Sequence, residues 1–387
     1  MRIVQVLDTL WMGGAQKMQV FLAHSLKPLG VDLTVVNLSH NADPSLVAQL
    51  EQAGVRVVSF PFPRLFSPLS FARLVLFLQR ERFDLIHAYL TYSNIIAPLA
   101  GRLSGIPVIA SVRSADYRHH KNSPRARLEN FSLKFLAHRV LANGYAVGEF
   151  ARTRSGRTPV DVIVNAVDLI PPLQADERTA LRTDLVGDSV RPIVLSVGRL
   201  TIAKGFFDLL DAFKMIHTVQ PDAALVIAGD GNLRDDLTTH VAKLGLQDDI
   251  FLLGQRNDVV RLLPAADIYV NSSLREGTPV SVLEAMSAGL AVVATTVGEN
   301  SFLLNQSSGA LVPPAQPEKL AEAVISLLSS PEKRAELGCA ARDEVGKKYG
   351  RIEWSRNILT LYAKLTPKAN EYLRKIEDGV LQAAGFK

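Results

Sequence analysis

The chain has 387 residues, enough for two domains of ordinary size. Hydrophobic residues are 48% and charged residues 21%, a soluble globular balance, and no apolar run approaches the roughly 18 residues that a membrane span needs. The net charge, 43 − 38 = +5, permits anionic ligands or a membrane surface and requires neither. The single cysteine, Cys339, excludes an internal disulfide framework and fits a reducing compartment. No Cys/His cluster has metal-ligand spacing. Asp8 interrupts the opening apolar run, which makes it a poor signal peptide, so the expected location is cytoplasmic.

A strand is expected over 2–7, then Gly13-Gly14, a helix over 15–26 and a strand over 31–38. This is a βαβ opening with glycines between the first strand and the first helix. G-x-G-x-x-G is absent, and the second strand ends at Asn37, not at the acidic residue that holds a ribose in NAD enzymes. Gly13 and Gly14 therefore read as a close approach to some other ligand, or as a plain glycine turn. Strands follow over 55–60, 84–87 and 108–112, with a helix over 69–79. His87 closes one of these strands and Arg113 follows another. Residues 60–66 are aromatic and broken by prolines. Residues 113–139 carry Arg113, Arg118, Lys121, Arg125, Arg127, Lys134 and Arg139 against Asp116 and Glu129. Such a run is either a solvated helix face or a patch for anionic lipid headgroups. Nucleic acid is not expected, because no binding motif accompanies the charge.

Asn165-Ala-Val-Asp168 and Pro171-Pro172 open a polar stretch that runs to Arg191 and reads as a domain junction. A second βαβ series then begins. Strands are expected over 193–197, 224–228, 250–253 and 267–271, with helices over 206–217 and about 233–244. Residues 272–298, SSLREGTPVSVLEAMSAGLAVVATTVG, give a loop, a helix over 280–288 with Pro279 fit for its first position, and a strand over 291–296. Glu276 sits in the loop and Glu284 on the helix. Their spacing of eight is not a one-face helical spacing, so they need the loop to converge. The loop amides and the helix start form a natural anion site, or else the stretch is an ordinary strand–loop–helix with two surface glutamates. Arg199, Lys204, Gly229, Gly231 and Glu276 all fall just after strands. In an open parallel sheet those loops share one edge, where ligands bind. Arg199 and Lys204 are then placed to neutralise a diphosphate.

SVGRL-x3-KG, AGDG and REGTP-x7-EA, in this order, resemble the donor-site motifs of family-4 glycosyltransferases. Gly13-Gly14-Ala-Gln16 resembles that family's N-terminal glycine loop, the 165–168 motif its interdomain segment, and Trp354 and Tyr362 its terminal helix. The resemblance covers roughly residues 1–365. It implies an α/β GT-B fold, two Rossmann-like doubly wound parallel-sheet domains facing a central cleft. Domains are expected at 1–168, for the acceptor, and 169–350, for the nucleotide-sugar, with a helical segment over 351–387 crossing back to the first. Residues 366–387 are expected to extend that terminal helix.

The resemblance also implies residue roles. Arg199 and Lys204 bind the diphosphate, Glu284 the ribose and Glu276 the hydroxyls of the transferred sugar. The amides of Val280 and Ser281 add phosphate contacts, and Gly13, Gly14, Gly229, Gly231, Arg256, Thr278 and Pro279 complete the donor set. The implied activity is metal-independent transfer with retention from a nucleotide-sugar, expected to be a UDP-sugar, to a glycan or a lipid-linked or lipopolysaccharide-type acceptor. No cofactor or metal is expected. The basic run over 113–139 and the aromatic stretch over 60–66 add an anionic surface on the inner face of a membrane as a candidate partner, with a solvated run or a soluble anionic acceptor as the alternative. Arg113 stands where the family often has a histidine, and His87 is a candidate partner of it at the reacting sugar; a packed histidine is the alternative. Ala291 replaces a usual proline, and an acidic residue expected near Ser301 is missing. Other activities on this fold are a nucleotide-sugar hydrolase or epimerase, and an inactive sensor that would lack Glu276 or Lys204.

Overall fold

The computed structural model describes residues 1–11, 14–63, 65, 67–114 and 123–386. Gly13, Phe66, Asp116, Arg118 and Lys121 lie outside the described residues. The chain divides into two compact units, Met1–Asn165 with Arg351–Lys387, and Ala166–Gly350. The division falls inside the 165–168 motif.

In the first unit the strands are β1 (Arg2–Leu7), β2 (Asp32–Asn37), β3 (Arg56–Ser59), β4 (Leu85–Tyr89), β5 (Val108–Val112), β6 (Arg139–Ala142) and β7 (Val160–Val162). They form a parallel sheet in the order β3-β2-β1-β4-β5-β6-β7. The connections are α1 (Gly14–Leu26), α2 (Pro44–Gln52), α3 (Pro68–Glu81), α4 (Thr91–Ser104), α5 (Pro124–Phe135) and α6 (Tyr145–Ser155). Helices on both faces bury the central strands completely, which is why β4 and β5 read as unbroken apolar runs and not as alternating ones. The strand order reverses between β1 and β4, and the loops at their carboxyl ends open a crevice there.

The sequence reading names no helix between β4 and β5. The structure builds α4 there, with Pro98 inside it. Proline cannot donate to the carbonyl four residues back. The Ser132 hydroxyl donates to that carbonyl, of Asn94, at 2.6 Å.

The second unit has α7 (Ala175–Val186), β8 (Ile193–Val197), α8 (Phe206–Val219), β9 (Ala224–Ala228), α9 (Arg234–Leu244) and β10 (Ile250–Gly254). It continues with α10 (Val259–Leu262), β11 (Ile268–Asn271), α11 (Val280–Ser287), β12 (Ala291–Thr295), α12 (Asn300–Leu303), β13 (Ala310–Val312), α13 (Pro317–Leu328) and α14 (Pro331–Lys348). Its parallel sheet runs β10-β9-β8-β11-β12-β13, so the order reverses between β8 and β11. Phe206, Leu209, Leu210, Phe213 and Ile216 of α8 pack their apolar stripe against it. The 169–191 stretch is part of this unit. Buried Arg182 of α7 donates to Ser189 O at 2.6 Å, Ala265 O at 2.7 Å and the Asp267 carboxylate at 3.0 Å.

Three helices, α15 (Arg351–Ala363), α16 (Ala369–Glu377) and α17 (Val380–Ala383), return to the first unit. The single extended helix expected over 366–387 is two short ones, which bury Tyr372, Ile376 and Leu381. Trp354 packs edge-on against Phe21 of α1, with ring centroids 5.3 Å apart. No helix of the described residues is long and apolar enough to cross a membrane.

Candidate active site

The reversal between β8 and β11 places two loops side by side. After β8 the chain makes a 3-10 turn, Ile202–Lys204, then Gly205 at φ 61°. A Cβ on Gly205 would lie 2.2 Å from the Ser272 carbonyl oxygen, so only glycine lets the turn lie against the loop after β11. The amides of Leu274 and Arg275 donate to Ala203 O at 2.9 and 3.1 Å, and the Ser272 hydroxyl donates to Lys204 O at 3.0 Å. This clasp sets Lys204 Nζ on Glu276 Oε1 as an ion pair, with side chains 22% and 9% exposed.

The Glu276 carboxylate rests in a cradle of donors. Ser273 Oγ donates at 2.7 Å and Asn271 Nδ2 at 3.3 Å. Behind them Thr295 Oγ1 donates to Ser273 O at 2.6 Å, and Asn300 Nδ2 donates to Asn271 Oδ1 at 3.0 Å. A buried polar network between the ends of β11 and β12 therefore fixes Glu276. Sequence reasoning missed Asn271, Ser273, Thr295 and Asn300; the one available signal was short polar residues closing apolar strands.

Tyr269 is fully buried on β11. Burial raises its pKa, and the charges of Glu284 and Glu276 raise it further, while the hydroxyl bonds to Ser281 and to Val197 O. The charges of both carboxylates thus reach one buried phenol. Pro279 is the residue before α11 and not its first, with φ −76° and ψ 96°. Val280 and Ser281 open the helix, and their amides have no acceptor four residues back.

The other expected donor residues are placed less uniformly. Arg199 is exposed at the end of β8. A Cβ on Gly229, at φ 153°, would lie 1.9 Å from Gly198 O, so this glycine serves contact between two loops. Gly231 N donates to the Asp230 carboxylate at 2.8 Å. The Arg256 guanidinium is held by Asp258, with Nε and Nη2 at 2.7 and 2.6 Å from its two oxygens. Thr278 is half-buried in the loop before α11, and Gly14 opens α1 in the first unit, exposed. Among the described residues no group of three or more His, Cys, Asp or Glu could hold a metal ion.

Residues 177–344 match the family described as Glycosyl transferases group 1, and residues 12–170 match Glycosyltransferase Family 4. The chain is a family-4 glycosyltransferase of the GT-B fold. It is 30% identical over 255 residues to the UDP-Gal:alpha-D-GlcNAc-diphosphoundecaprenol alpha-1,3-galactosyltransferase of Escherichia coli, a match covering 63% of this chain and 66% of that protein. It is 28% identical over 371 residues to spore coat protein SA of Bacillus subtilis strain 168, covering 91% and 95%. The crystal structure of Anabaena Alr3699/HepE in complex with UDP superposes with a TM-score of 0.85 at 22% identity, covering 94% of this chain and 100% of that one, and so shares its fold.

In the first unit of the transferase, Arg113 follows β5. Its guanidinium lies 5.5 Å from the Tyr89 ring centroid, and Nη2 donates to Asn165 Oδ1 at 3.0 Å. His87 is fully buried below it. Its Nδ1 meets the Tyr362 hydroxyl at 2.9 Å and its Nε2 the Ser111 hydroxyl at 2.8 Å, and Tyr89 stacks on the ring. The ring has no open face for a sugar, so His87 belongs to the packing under Arg113.

Burial, with the Arg113 charge adding to it, pulls the His87 pKa from 6.5 down to about 3. The folded transferase keeps the ring neutral, while the unfolded chain protonates it below 6.5. Stability from this group is complete above pH 6.5 and is lost as pH falls toward 3. Between pH 7.5 and 5.5 that loss is on the order of 1 kcal/mol. Asp8, pushed up to about 6 by burial, acts in the opposite sense below pH 6. The comparison with His87→Gln therefore isolates the histidine. Urea unfolding of the first unit at the two pH values should show a smaller pH loss in the variant. Equal losses would mean that His87 is charged in the fold.

Proposed function

We propose that the protein transfers a sugar, with retention of configuration, from a UDP-sugar to a lipid-linked or lipopolysaccharide-type acceptor at the inner face of a membrane. The observation that carries this reading is the Lys204–Glu276 pair where the second sheet reverses, beside the opening amides of α11. The bond from the sugar's anomeric carbon to the diphosphate oxygen breaks as a bond to an acceptor hydroxyl oxygen forms on the same face of the sugar, the acceptor's proton passes to the departing diphosphate, and the nucleotide gains negative charge as it leaves. Lys204 is a fixed cation and the amides of Val280 and Ser281 fixed dipoles suited to that charge, with Arg199 exposed at the neighbouring strand end as a second cation, which lets the reaction proceed without a metal. Glu276 accepts hydrogen bonds from the sugar hydroxyls and Glu284 from the ribose. UDP is favoured because the E. coli relative is named for UDP-Gal and the Anabaena structure holds UDP. The lipid-linked acceptor is favoured because that relative's acceptor is a diphosphoundecaprenol-linked sugar. Arg125, Arg127 and Lys134 are exposed on α5, which suits an anionic leaflet.

Purified protein is to be incubated with a panel of UDP- and GDP-sugars, with and without lipid-linked and soluble acceptors, and the products weighed by mass spectrometry. The expected result is an acceptor heavier by one sugar residue, formed with a UDP-sugar and a lipid-linked acceptor. Free sugar without acceptor would indicate a hydrolase, and an isomerised nucleotide-sugar an epimerase. Co-sedimentation with vesicles should need anionic lipid, weaken with salt and fall when Arg118, Lys121, Arg125 and Arg127 are changed to Ser. Equal sedimentation with neutral vesicles would remove the membrane from the proposal.

A further inference from the structure

The first unit has its own reversal of strand order, between β1 and β4. A cavity of about 360 Å³ lies there, walled by Asp8 after β1, His40 and Asn41 after β2, Phe62 after β3, and Tyr92 and Ile96 of α4. Its polar end is built tightly. The Asp8 carboxylate accepts from the amides of Tyr92 and Ser93 at 2.9 and 2.7 Å, and from the Ser93 hydroxyl at 2.8 Å. Leu90, which enters α4, is held at φ 75°, a conformation a branched residue adopts only when its surroundings impose it. The Arg125 guanidinium lies 4.3 Å from the Tyr92 ring centroid and places a cation at the rim.

The other end changes character. Leu65 and Ile96 are also walls of a second cavity of about 270 Å³, between α3 and α4, completed by Ser67, Pro68, Phe71, Ile95 and Leu99. That groove is lined almost wholly by carbon. Around it Leu69, Leu76, Leu99 and Leu103 are 43 to 64% exposed. Arg73, Arg80 and Arg102 stand exposed on the same two helices. Their one acidic residue, Glu81, is engaged by Arg2 and Arg56. Exposed leucines among arginines suit the headgroup boundary of an anionic bilayer, and a carbon-lined groove opening there suits a hydrocarbon chain.

We propose that these adjoining cavities bind a sugar-phosphate lipid, its hydroxylated head between Asp8, His40 and Tyr92, its phosphate toward Arg125, and the start of its chain in the α3–α4 groove. This deepens the acceptor named above and rests on that reading for its place in the reaction. A free glycan has no use for the groove, and a plain membrane contact has no use for the cavity at the strand ends. The two cavities adjoin at Leu65 and Ile96, and that adjacency of a polar and a carbon-lined space selects a ligand with both parts.

The test uses two probes, a dodecyl and an ethyl phosphoglycoside with the same fluorescent sugar, below the micelle concentration. Each buried methylene tightens binding about fourfold, so three buried methylenes give about a sixtyfold preference for the dodecyl probe. Ile95→Asp puts a charge in the groove. Leu99→Asp does so at its half-exposed mouth, where the fold tolerates it, and circular dichroism confirms folding of each. Both variants should bring the preference below about fivefold while ethyl-probe binding persists. No preference in the full chain, or an undiminished preference in folded Leu99→Asp, overturns the proposal. The binding arm needs no turnover. Chain-dependent binding without transfer from any UDP-sugar would therefore leave the lipid site standing and remove the reaction assigned to it. Transfer indifferent to chain length would do the reverse.

Discussion

Lys204→Ala is expected to lower kcat/KM for sugar transfer by roughly 10²–10³-fold, the scale for removing one fixed electrostatic partner of a developing charge. Lys204 reaches its place through backbone, not through its own flexibility. Ser272 holds its carbonyl, and Gly205 lets the turn sit on the next loop. Replacement therefore removes the charge and leaves the scaffold. The fold should survive, because Glu276 keeps Ser273 and Asn271 as donors. Loss of its cation should still cost about 1–3 kcal/mol of the second unit's stability. UDP binding by calorimetry and steady-state transfer measure the effect, with a thermal melt as the control for folding. Donor affinity and turnover both equal to those of the parent would remove Lys204 from the diphosphate. Lys204→Arg is a sharper version. It keeps the charge, but a planar fork cannot replace a point charge seated on Glu276, so only part of the activity should return.

Much of this was readable from the residues, and the reasons differ by element. Strands β1, β5, β8 and β9 have the limits their apolar runs suggest, because strands covered on both faces must be apolar throughout. Their alternation with helices implies a parallel sheet, and the parallel direction places the loops after each strand on one edge. Arg199, Lys204 and Glu276 could thus be grouped without contacts. The pairing of Lys204 with Glu276, 72 positions apart, could not be read, because it depends on how two loops lie against each other. Helix α4 was not named from the sequence, and the bond that Pro98 cannot make inside it is replaced by one from Ser132, a residue on another helix. The cradle of Asn271, Ser273, Thr295 and Asn300 was hidden because short polar residues at strand ends look alike whether buried or solvated. His87 shows the same limit. Its strand position is the same for a packed and for a reactive histidine, and only Tyr362, far along the chain, separates the two. Arg256 was expected at the donor, and Asp258, two residues away, engages it first.

The two glutamates should separate by what each variant does to free nucleotide. Glu284→Ala should weaken UDP and UDP-sugar alike, by about 1–3 kcal/mol, since the ribose is common to both. Glu276→Ala should slow transfer by roughly 10²-fold, because the partner proposed for it is a sugar that free UDP lacks. The ion pair fixes the sign of a further effect. In the unliganded protein Glu276 holds Lys204, so a diphosphate must compete with that carboxylate for the cation. Removing Glu276 frees Lys204, and UDP affinity in Glu276→Ala should hold or increase. The same competition predicts that the pair is not additive. Lys204→Ala with Glu276→Ala should lose less transfer than the sum of the single losses, with a coupling of about 0.5–3 kcal/mol. Calorimetric titration of UDP into the four proteins of the cycle, with transfer rates on each, decides the matter. An equal fall of UDP affinity in Glu276→Ala and Glu284→Ala would dissolve the division of roles. Strict additivity would mean that the contact between Lys204 and Glu276 has no part in donor binding.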